Sequence, residues 1–205
     1  MRRLPPVATA VVAVAVAAMI ALGVWQIGRG REKDVQVARY AAAAGRPPIA
    51  FPRAGEGEGA LFRRSALMCL DVAGWQLAPG RNRAGASGWR YLARCRTGAE
   101  GPGALVDIGW SARFDARPAW TGGLVRGTIA PAPDHRSLIA TLTQGRRPTE
   151  IALIADTPAP GLAASAPPSV ADIPNNHRGY AVQWFAFAAI AAIVYVVALR
   201  ARRRG

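Results

Sequence analysis

Two long apolar segments lie near the ends of the chain, on either side of a more polar middle. The first runs from Pro5 to Gly28 and the second from Tyr180 to Leu199, and neither contains a charged residue. At about 1.5 Å per residue, each can cross roughly 30 Å of hydrocarbon as a helix. The pattern therefore predicts two transmembrane helices in a lipid bilayer, which we place at residues 5–28 and 177–199.

A cleaved signal peptide is the alternative interpretation of the first segment. Its apolar run is longer than the roughly 7–15 residues of a signal peptide core. Trp25 and Gln26 also stand where a small-residue cleavage site would be needed. We therefore favour an uncleaved membrane anchor.

The residues between the two apolar segments change character along the chain. Glu32 to Ala44 contains helix formers and no Gly or Pro, so residues 29–46 are predicted to extend the first helix. Residues 47–157 have the length of one ordinary domain. Residues 158–176 are rich in Pro, Ala and Ser, which predicts an irregular return to the membrane, and residues 200–205 form a basic tail.

Short apolar or alternating runs, separated by Gly, Pro, Asn and Asp, fill the middle domain. Such runs are typical of β-strands. There are six, at residues 60–75, 88–95, 103–110, 122–130, 137–143 and 149–155. The predicted fold is two transmembrane helices flanking a mainly β domain, which is a small antiparallel barrel or sandwich with a short helix.

Alternation within one of these runs predicts which side chains face the core. On one face it places Trp89, Tyr91, Ala93 and Cys95, and on the other Arg90, Leu92, Arg94 and Arg96. The only other cysteine of the chain is Cys69. We favour a Cys69–Cys95 disulfide in an exported domain, with two separate buried thiols as the alternative.

The formal net charge of +14 does not by itself indicate a nucleic-acid-binding protein. Six of the 26 basic residues lie in the two terminal tails, and the others are scattered among 12 acidic residues. No nucleic-acid-binding motif accompanies them, so we predict no nucleic acid partner. Basic tails stay in the cytoplasm. We therefore predict a bacterial inner-membrane protein with both termini cytoplasmic and its central domain periplasmic.

Catalytic motifs are scarce in this sequence. Nucleophilic triads need a histidine near the nucleophile, and the chain has two histidines, His135 and His177. His135 lies in a predicted turn, where an exposed loop histidine is the simplest interpretation. We find no nucleotide-binding loop, hydrolase elbow or zinc-protease motif. The sequence therefore argues against an ordinary hydrolase or nucleotide enzyme.

His177 is notable for its position at the mouth of the second helix. Pro174 prevents helix before it, and Asn175 or Asn176 is a natural N-cap. At 100° per residue, one stripe of the helix carries His177, Tyr180, Trp184, Ala188, Ala191 and Tyr195, and the first helix offers a series of small residues, Ala13, Ala17 and Ala21. In a second interpretation of this stripe, Tyr180 and Trp184 form an interfacial aromatic belt and His177 only caps the helix.

Topology brings the outer ends of the two predicted helices to one membrane depth. A candidate site would then contain His177, Tyr180, Trp184, Trp25, Gln26, Arg29 and Arg178, with Arg31 and Lys33 nearby. Such a site suits an amphiphile with an apolar body, a metal and anionic groups. Haem is the obvious candidate, since imidazole can bind its iron and arginine can pair with its propionates.

At these residues the chain resembles the surfeit locus protein 1 family, the Shy-type assembly factors of cytochrome c oxidase. The segment LGVWQIGRGREK is similar to the family motif of the first helix, although its last spacing is offset by one residue. Gly109 and Trp110 are similar to a G-W motif, and Gly127 to a position in the following strand. The most specific match is NNHRGYAVQWF, which carries Asn175, Asn176, His177, Tyr180, Ala181, Gln183, Trp184 and Phe185.

The resemblance implies a non-enzymatic factor for the assembly of haem–copper oxidase. It implies partners, namely the catalytic subunit of cytochrome c oxidase and other oxidase assembly factors. It also implies haem a as a transient cofactor, with His177 as the ligand of the haem iron. Two alternatives are open: a scaffold that holds the oxidase subunit without binding haem, and, less favoured, an enzyme that modifies haem.

Overall fold

The computed structural model of the protein describes residues 6–53, 57–98, 103–133 and 150–204. The chain divides into two compact units. One contains Met1–Ala38 and Ile173–Gly205, and the other contains Arg39–Asp172. The predicted strand at residues 137–143 and the predicted turn around His135 lie outside the described residues.

The first unit consists of two helices, α1 from Pro6 to Ala44 and α2 from His177 to Arg204. Both are long and apolar enough to cross a membrane. α1 runs without interruption through the segment that was predicted to extend it, so its 39 residues span about 58 Å. It ends just before Gly45, Pro47 and Pro48. The last turns of α1, from Arg39 onward, belong to the second unit.

α1 and α2 pack against each other in antiparallel orientation. The hydroxyl groups of Thr9 and Tyr195 form a hydrogen bond, and Gln26 contacts His177 near the other end of the pair. Side chains covered by the contact recur at alternating spacings of three and four, as in a left-handed helix pair. In α1 they include Val12, Val16, Met19, Gly23, Gln26 and Gly30, and in α2 Ala181, Trp184, Ala188, Ala191 and Tyr195.

Two details of the predicted helix packing are wrong. Tyr180 is 52% exposed, and its neighbour Ala181, only 3% exposed, packs against α1 instead. The series Ala13, Ala17 and Ala21 is exposed. A spacing of four drifts by about 40° at each step, whereas alternating spacings of three and four stay on the face of the partner. Close packing also selects the smaller side chain at the contact.

The second unit is built on one seven-stranded sheet with the order β1-β2-β6-β7-β5-β4-β3. The strands are β1 Ile49–Ala50, β2 Arg64–Cys69, β3 Asp71–Arg81, β4 Ser87–Arg96, β5 Ala104–Ser111, β6 Gly123–Pro131 and β7 Ile151–Ala155. Short 3-10 helices lie at Glu58–Ala60 and Val170–Asp172. The predicted layout, two apolar helices flanking a mainly β domain, is confirmed.

The sheet differs from the predicted antiparallel barrel in two respects. It is mixed, since β1 pairs with β2 and β5 pairs with β7 in parallel. It also curls without closing: β2 and β3 are separated only by Leu70, although four strands lie between them in the sheet, and no strand pairing joins β1 to β3 among the described residues. One predicted run, residues 60–75, therefore contains two strands and the corner between them.

A disulfide joins the two sides of the curled sheet. Cys69 ends β2, Cys95 lies in β4, and their Cα atoms are 5.1 Å apart. Both cysteines are buried. Because Val72, just after the corner at Leu70, pairs with Cys95, the strand register brings the two sulfurs together.

The middle of β4 corrects the predicted division of its faces. Leu92 was placed on the polar face but is fully buried, packed in a cluster with Leu105 and Ile154. Trp89, placed in the core, is 37% exposed. The pairing with β5 shifts register between Tyr91 and Leu92, and β5 itself is buried on both faces. Simple alternation fails where both faces of the sheet are covered.

Gly109 and Trp110 hold the return segment against the sheet. Gly109 has φ +140°, and a Cβ there would lie 2.8 Å from the carbonyl oxygen of Ala163. Trp110 exchanges two backbone hydrogen bonds with Ala163, and its indole donates to the carbonyl of Gly80. The G-W pair therefore has a structural role in the described fold.

A buried carboxylate lies beside this contact. Asp107 is fully buried and accepts hydrogen bonds from Arg90 Nε at 2.5 Å, Ser165 Oγ at 2.8 Å and Gly109 N at 3.0 Å. Burial raises the pKa of the Asp107 carboxyl above its ordinary value, while the guanidinium of Arg90 and the hydroxyl of Ser165 oppose that shift. Ser165 thereby fastens the return segment to the sheet.

Candidate functional site

A short polar contact between the two helices joins His177 to Gln26. His177 is the first residue of α2, and its Nδ1 lies 2.6 Å from Oε1 of Gln26 in α1. With the proton on Nδ1, the imidazole donates to this amide oxygen. The lone pair of the neutral imidazole is then on Nε2, the nitrogen that is free to bind a metal.

Asn175 joins the entry of α2 to the backbone of α1. Its Nδ2 donates to the carbonyl of Gly30 at 3.2 Å and to Oδ1 of Asp34 at 2.7 Å. The predicted N-cap role is therefore not what the Asn175 side chain performs. The first helical hydrogen bond of α2 instead runs from Tyr180 N to the backbone carbonyl of Asn176.

Gly30 makes close approach of the helices possible at this point. A Cβ on Gly30 would lie 3.4 Å from Cβ of His177 and 3.9 Å from Oδ1 of Asn175. That amide oxygen is buried without a hydrogen-bond partner among the described residues. An alanine at this position would make ordinary van der Waals contacts with both side chains of the α2 entry.

The two arginines that were predicted to pair with haem propionates already form ion pairs with acidic residues. Arg178 donates to Oδ2 of Asp34 at 2.8 Å, across the helix pair. Arg29 pairs with Glu32 within α1. These side chains are largely exposed, so water screens both pairs and each can exchange partners at little cost.

The aromatic residues of the predicted site do not form one wall. Trp25 and Tyr180 are each about half exposed and point away from the helix contact. Trp184 is partly covered and packs edge to face on Phe187, with ring centroids 6.2 Å apart. The structure therefore brings together His177 and Gln26, with Arg178 beside them, and leaves Trp25 and Tyr180 on the outer surfaces of the helices.

The donor set around His177 is small. Among the described residues, no group of three or more His, Cys, Asp or Glu side chains could hold a metal ion. A single imidazole is the ligand that this part of the chain offers. Such a set can bind the axial position of a metal that is already held in a macrocycle, but does not make a closed metal site.

Two residues of this region were missed by sequence reasoning, namely Asp34 and Gly30. A usable signal was the spacing, since Gln26, Gly30 and Asp34 recur at intervals of four along α1 and so lie on adjacent turns of one side.

The sheet unit carries a separate concave surface with little chemistry. It has a volume of about 400 Å³, and its lining includes the apolar residues Ile108, Trp120 and Leu124 together with Arg126 and Asp156. Asp156 is already paired with Arg64. The candidate site therefore lies in the helical unit.

Comparison with known proteins agrees with the motifs. None of the curated proteins matches the chain. The sequence profile of the SURF1 family matches residues 13–189, which include most of α1, the whole sheet unit and the first part of α2. The protein therefore belongs to the SURF1 family, which is associated with the assembly of cytochrome c oxidase.

Proposed function

We propose that the protein is a non-enzymatic assembly factor that holds haem a for the catalytic subunit of haem–copper cytochrome c oxidase. His177 would bind the haem iron at the outer ends of α1 and α2. The observation that carries the proposal is the 2.6 Å contact between His177 Nδ1 and Gln26 Oε1. With Nδ1 as the donor in this contact, Nε2 is left available to a metal.

The residues present fit this group. Ligating histidines almost always donate their other ring N–H to an acceptor, which orients the ring and raises its basicity. Gln26 supplies that acceptor from the facing helix. Haem, when bound, supplies a redox-active iron and two propionates, and Arg178 and Arg29 lie within a few residues of His177 and Gln26 to pair with carboxylates.

Transfer requires binding that can be reversed. The described residues provide one imidazole here and no group of three or more His, Cys, Asp or Glu side chains that could hold a metal ion. The arginines are exposed and already paired with Asp34 and Glu32, so a haem carboxylate would compete with these acids, which keeps the contact weak. A site of this kind favours release to a partner that offers two ligands.

The topology of the proposal is a bacterial inner-membrane protein with both termini in the cytoplasm and the sheet unit in the periplasm. The antiparallel packing of α1 and α2 supports it, since two antiparallel spans return the chain to its starting side. The Cys69–Cys95 disulfide supports an oxidising compartment for the sheet unit. Reporter fusions test this: an enzyme active only in the periplasm should work when inserted after Arg53 and fail when fused after Gly205.

The decisive experiment is an optical spectrum of the full chain, purified in detergent from cells that make haem a. We expect haem in the wild type and at least ten-fold less in His177→Ala. His135→Ala, the only other histidine substitution, is the matched control and should keep the haem. A wild type without haem, which still supports oxidase assembly, would leave the scaffold as the function.

A further inference from the structure

The carboxylate of Asp34 accepts hydrogen bonds from residues on both sides of His177 in the sequence. Its Oδ1 accepts from Asn175 Nδ2 at 2.7 Å, and its Oδ2 accepts from Arg178 NH2 at 2.8 Å. The two donors lie two residues before and one residue after His177. One carboxylate on α1 therefore fastens the first turn of α2 on each side of the imidazole.

The backbone of α1 adds a third attachment at the same level. Asn175 Nδ2 also donates to the carbonyl of Gly30, one turn before Asp34. A Cβ on Gly30 would lie 3.4 Å from Cβ of His177, so the entry of α2 lies against α1 here. The position of Asn175 and Arg178 along α1 is thus set by Asp34 and by the carbonyl of Gly30.

This attachment determines where the imidazole meets Gln26. Gln26 lies two turns before Asp34 in α1. The first turn of α2 is a rigid connection between the two contacts, because Tyr180 N bonds to the carbonyl of Asn176 and closes that turn. A shift of the Asp34 contact therefore moves His177 relative to Gln26.

We propose that Asp34 is a positioning residue for His177: it fastens the entry of α2 to α1 and so maintains the hydrogen bond that leaves Nε2 unprotonated. The positioning role is argued from contacts within the protein. It rests on the proposed function only in assuming that His177 binds haem iron. Asp34 is 45% and Arg178 79% exposed in their side chains, so the pair contributes little to overall stability. Its effect is on the position of the imidazole.

Nitrogen NMR of the full chain in detergent, labelled in histidine, tests the proposal without haem. The chain has two histidines, so His177→Ala assigns the His177 signals. At alkaline pH, where imidazole is neutral, the wild type should show a protonated Nδ1 and an unprotonated Nε2. Asp34→Ala should move both signals toward an average of the two tautomers, and Asp34→Asn, which keeps one acceptor for Asn175, should move them less.

Glu32→Gln is the matched control, because Glu32 pairs with Arg29 inside α1. It should leave the His177 signals unchanged. Unchanged signals in Asp34→Ala, in a protein with unaltered helix content, would overturn the proposal, as would an equal change in Glu32→Gln. If the wild type has the expected tautomer and Asp34→Ala loses it, but neither binds haem, the positioning role stands and the proposed function fails.

Haem titration then tests whether the positioning role of Asp34 affects haem binding. In a wild type that binds haem, Asp34→Ala should lower the affinity several-fold with little change in unfolding midpoint. An affinity loss that appears only together with a matching loss of stability would show a merely structural role for Asp34, and would overturn the proposal.

Discussion

The imidazole of His177 and the amide of Gln26 meet at 2.6 Å, although 151 positions separate them in the sequence. Neither residue is unusual alone: a histidine at a helix start and a glutamine at a membrane interface both have ordinary structural explanations. Their contact across the antiparallel pair joins them into one hydrogen-bonded unit.

Replacing Gln26 by leucine should weaken haem binding while the helices still pair. The change removes the acceptor for Nδ1–H, and loss of such a partner lowers metal affinity by about ten-fold or more. Haem titration of the purified chain measures it. Gln36→Leu, the same change ten positions further along the same helix, is the control and should leave haem binding unchanged. Equal losses in both variants would contradict a role for the His177 contact.

A second prediction concerns the close packing of α1 and α2. A Cβ on Gly23 would lie 2.7 Å from the ring of Phe185, so Gly23→Ala should displace that ring and destabilise the helix pair by about 1–2 kcal/mol. Gly28→Ala is the control, since nothing lies within 4 Å of a Cβ there. It should be neutral or slightly stabilising, because alanine favours helix. Denaturation in detergent, followed by circular dichroism, compares the two.

The sequence predicts the helices well because a membrane span is a local property. An uninterrupted apolar run such as Tyr180–Leu199 must satisfy its backbone hydrogen bonds internally, and only a helix does so within one segment. The partner face is different. Ala181 packs and Tyr180 does not because of the side chains that α1 presents, and these are more than 150 residues away.

The sheet shows the same division between local and distant causes. Alternating runs predicted β4 to β7 close to their observed positions, but β7 lies between β5 and β6 because of long-range pairing that no run contains. Alternation places Leu92 on an arginine-rich face, but in the fold it packs against Leu105 and Ile154 from other strands. Asn175 likewise reads as a helix cap, since its true partners, Gly30 and Asp34, lie in the other helix.

A third prediction is that loss of the Cys69–Cys95 disulfide costs the sheet unit about 3 kcal/mol. The bridge closes a sequence separation of 26 residues, and the chain-entropy estimate for loops of this size has that magnitude. Urea unfolding of the Cys69→Ala, Cys95→Ala double variant measures the loss. A change of less than about 1 kcal/mol would show that the corner at Leu70 brings β2 and β4 together without the bridge.

The last prediction concerns the buried carboxylate of Asp107. Burial raises the pKa of the Asp107 carboxyl in the folded protein. The folded protein therefore binds this proton more tightly than the unfolded chain does, and protonation of Asp107 stabilises the fold. That contribution is fully present below the ordinary pKa of about 3.9 and is lost as the pH rises through the raised value. The unfolding free energy of the wild type, measured relative to Asp107→Asn, should therefore decrease over this window.

Ser165→Ala should make this pH dependence steeper. The hydroxyl of Ser165 donates to Oδ1 of Asp107 at 2.8 Å and favours the ionised form. Below both pKa values the variant should lose little, and at neutral pH it should lose about 2 kcal/mol, the typical contribution of a hydrogen bond to a charged group. Ser87→Ala, at the exposed first position of β4, should change stability by less than about 0.5 kcal/mol at every pH. A loss in Ser165→Ala that is equal at acidic and neutral pH would show that the hydroxyl serves packing alone and does not stabilise the Asp107 charge.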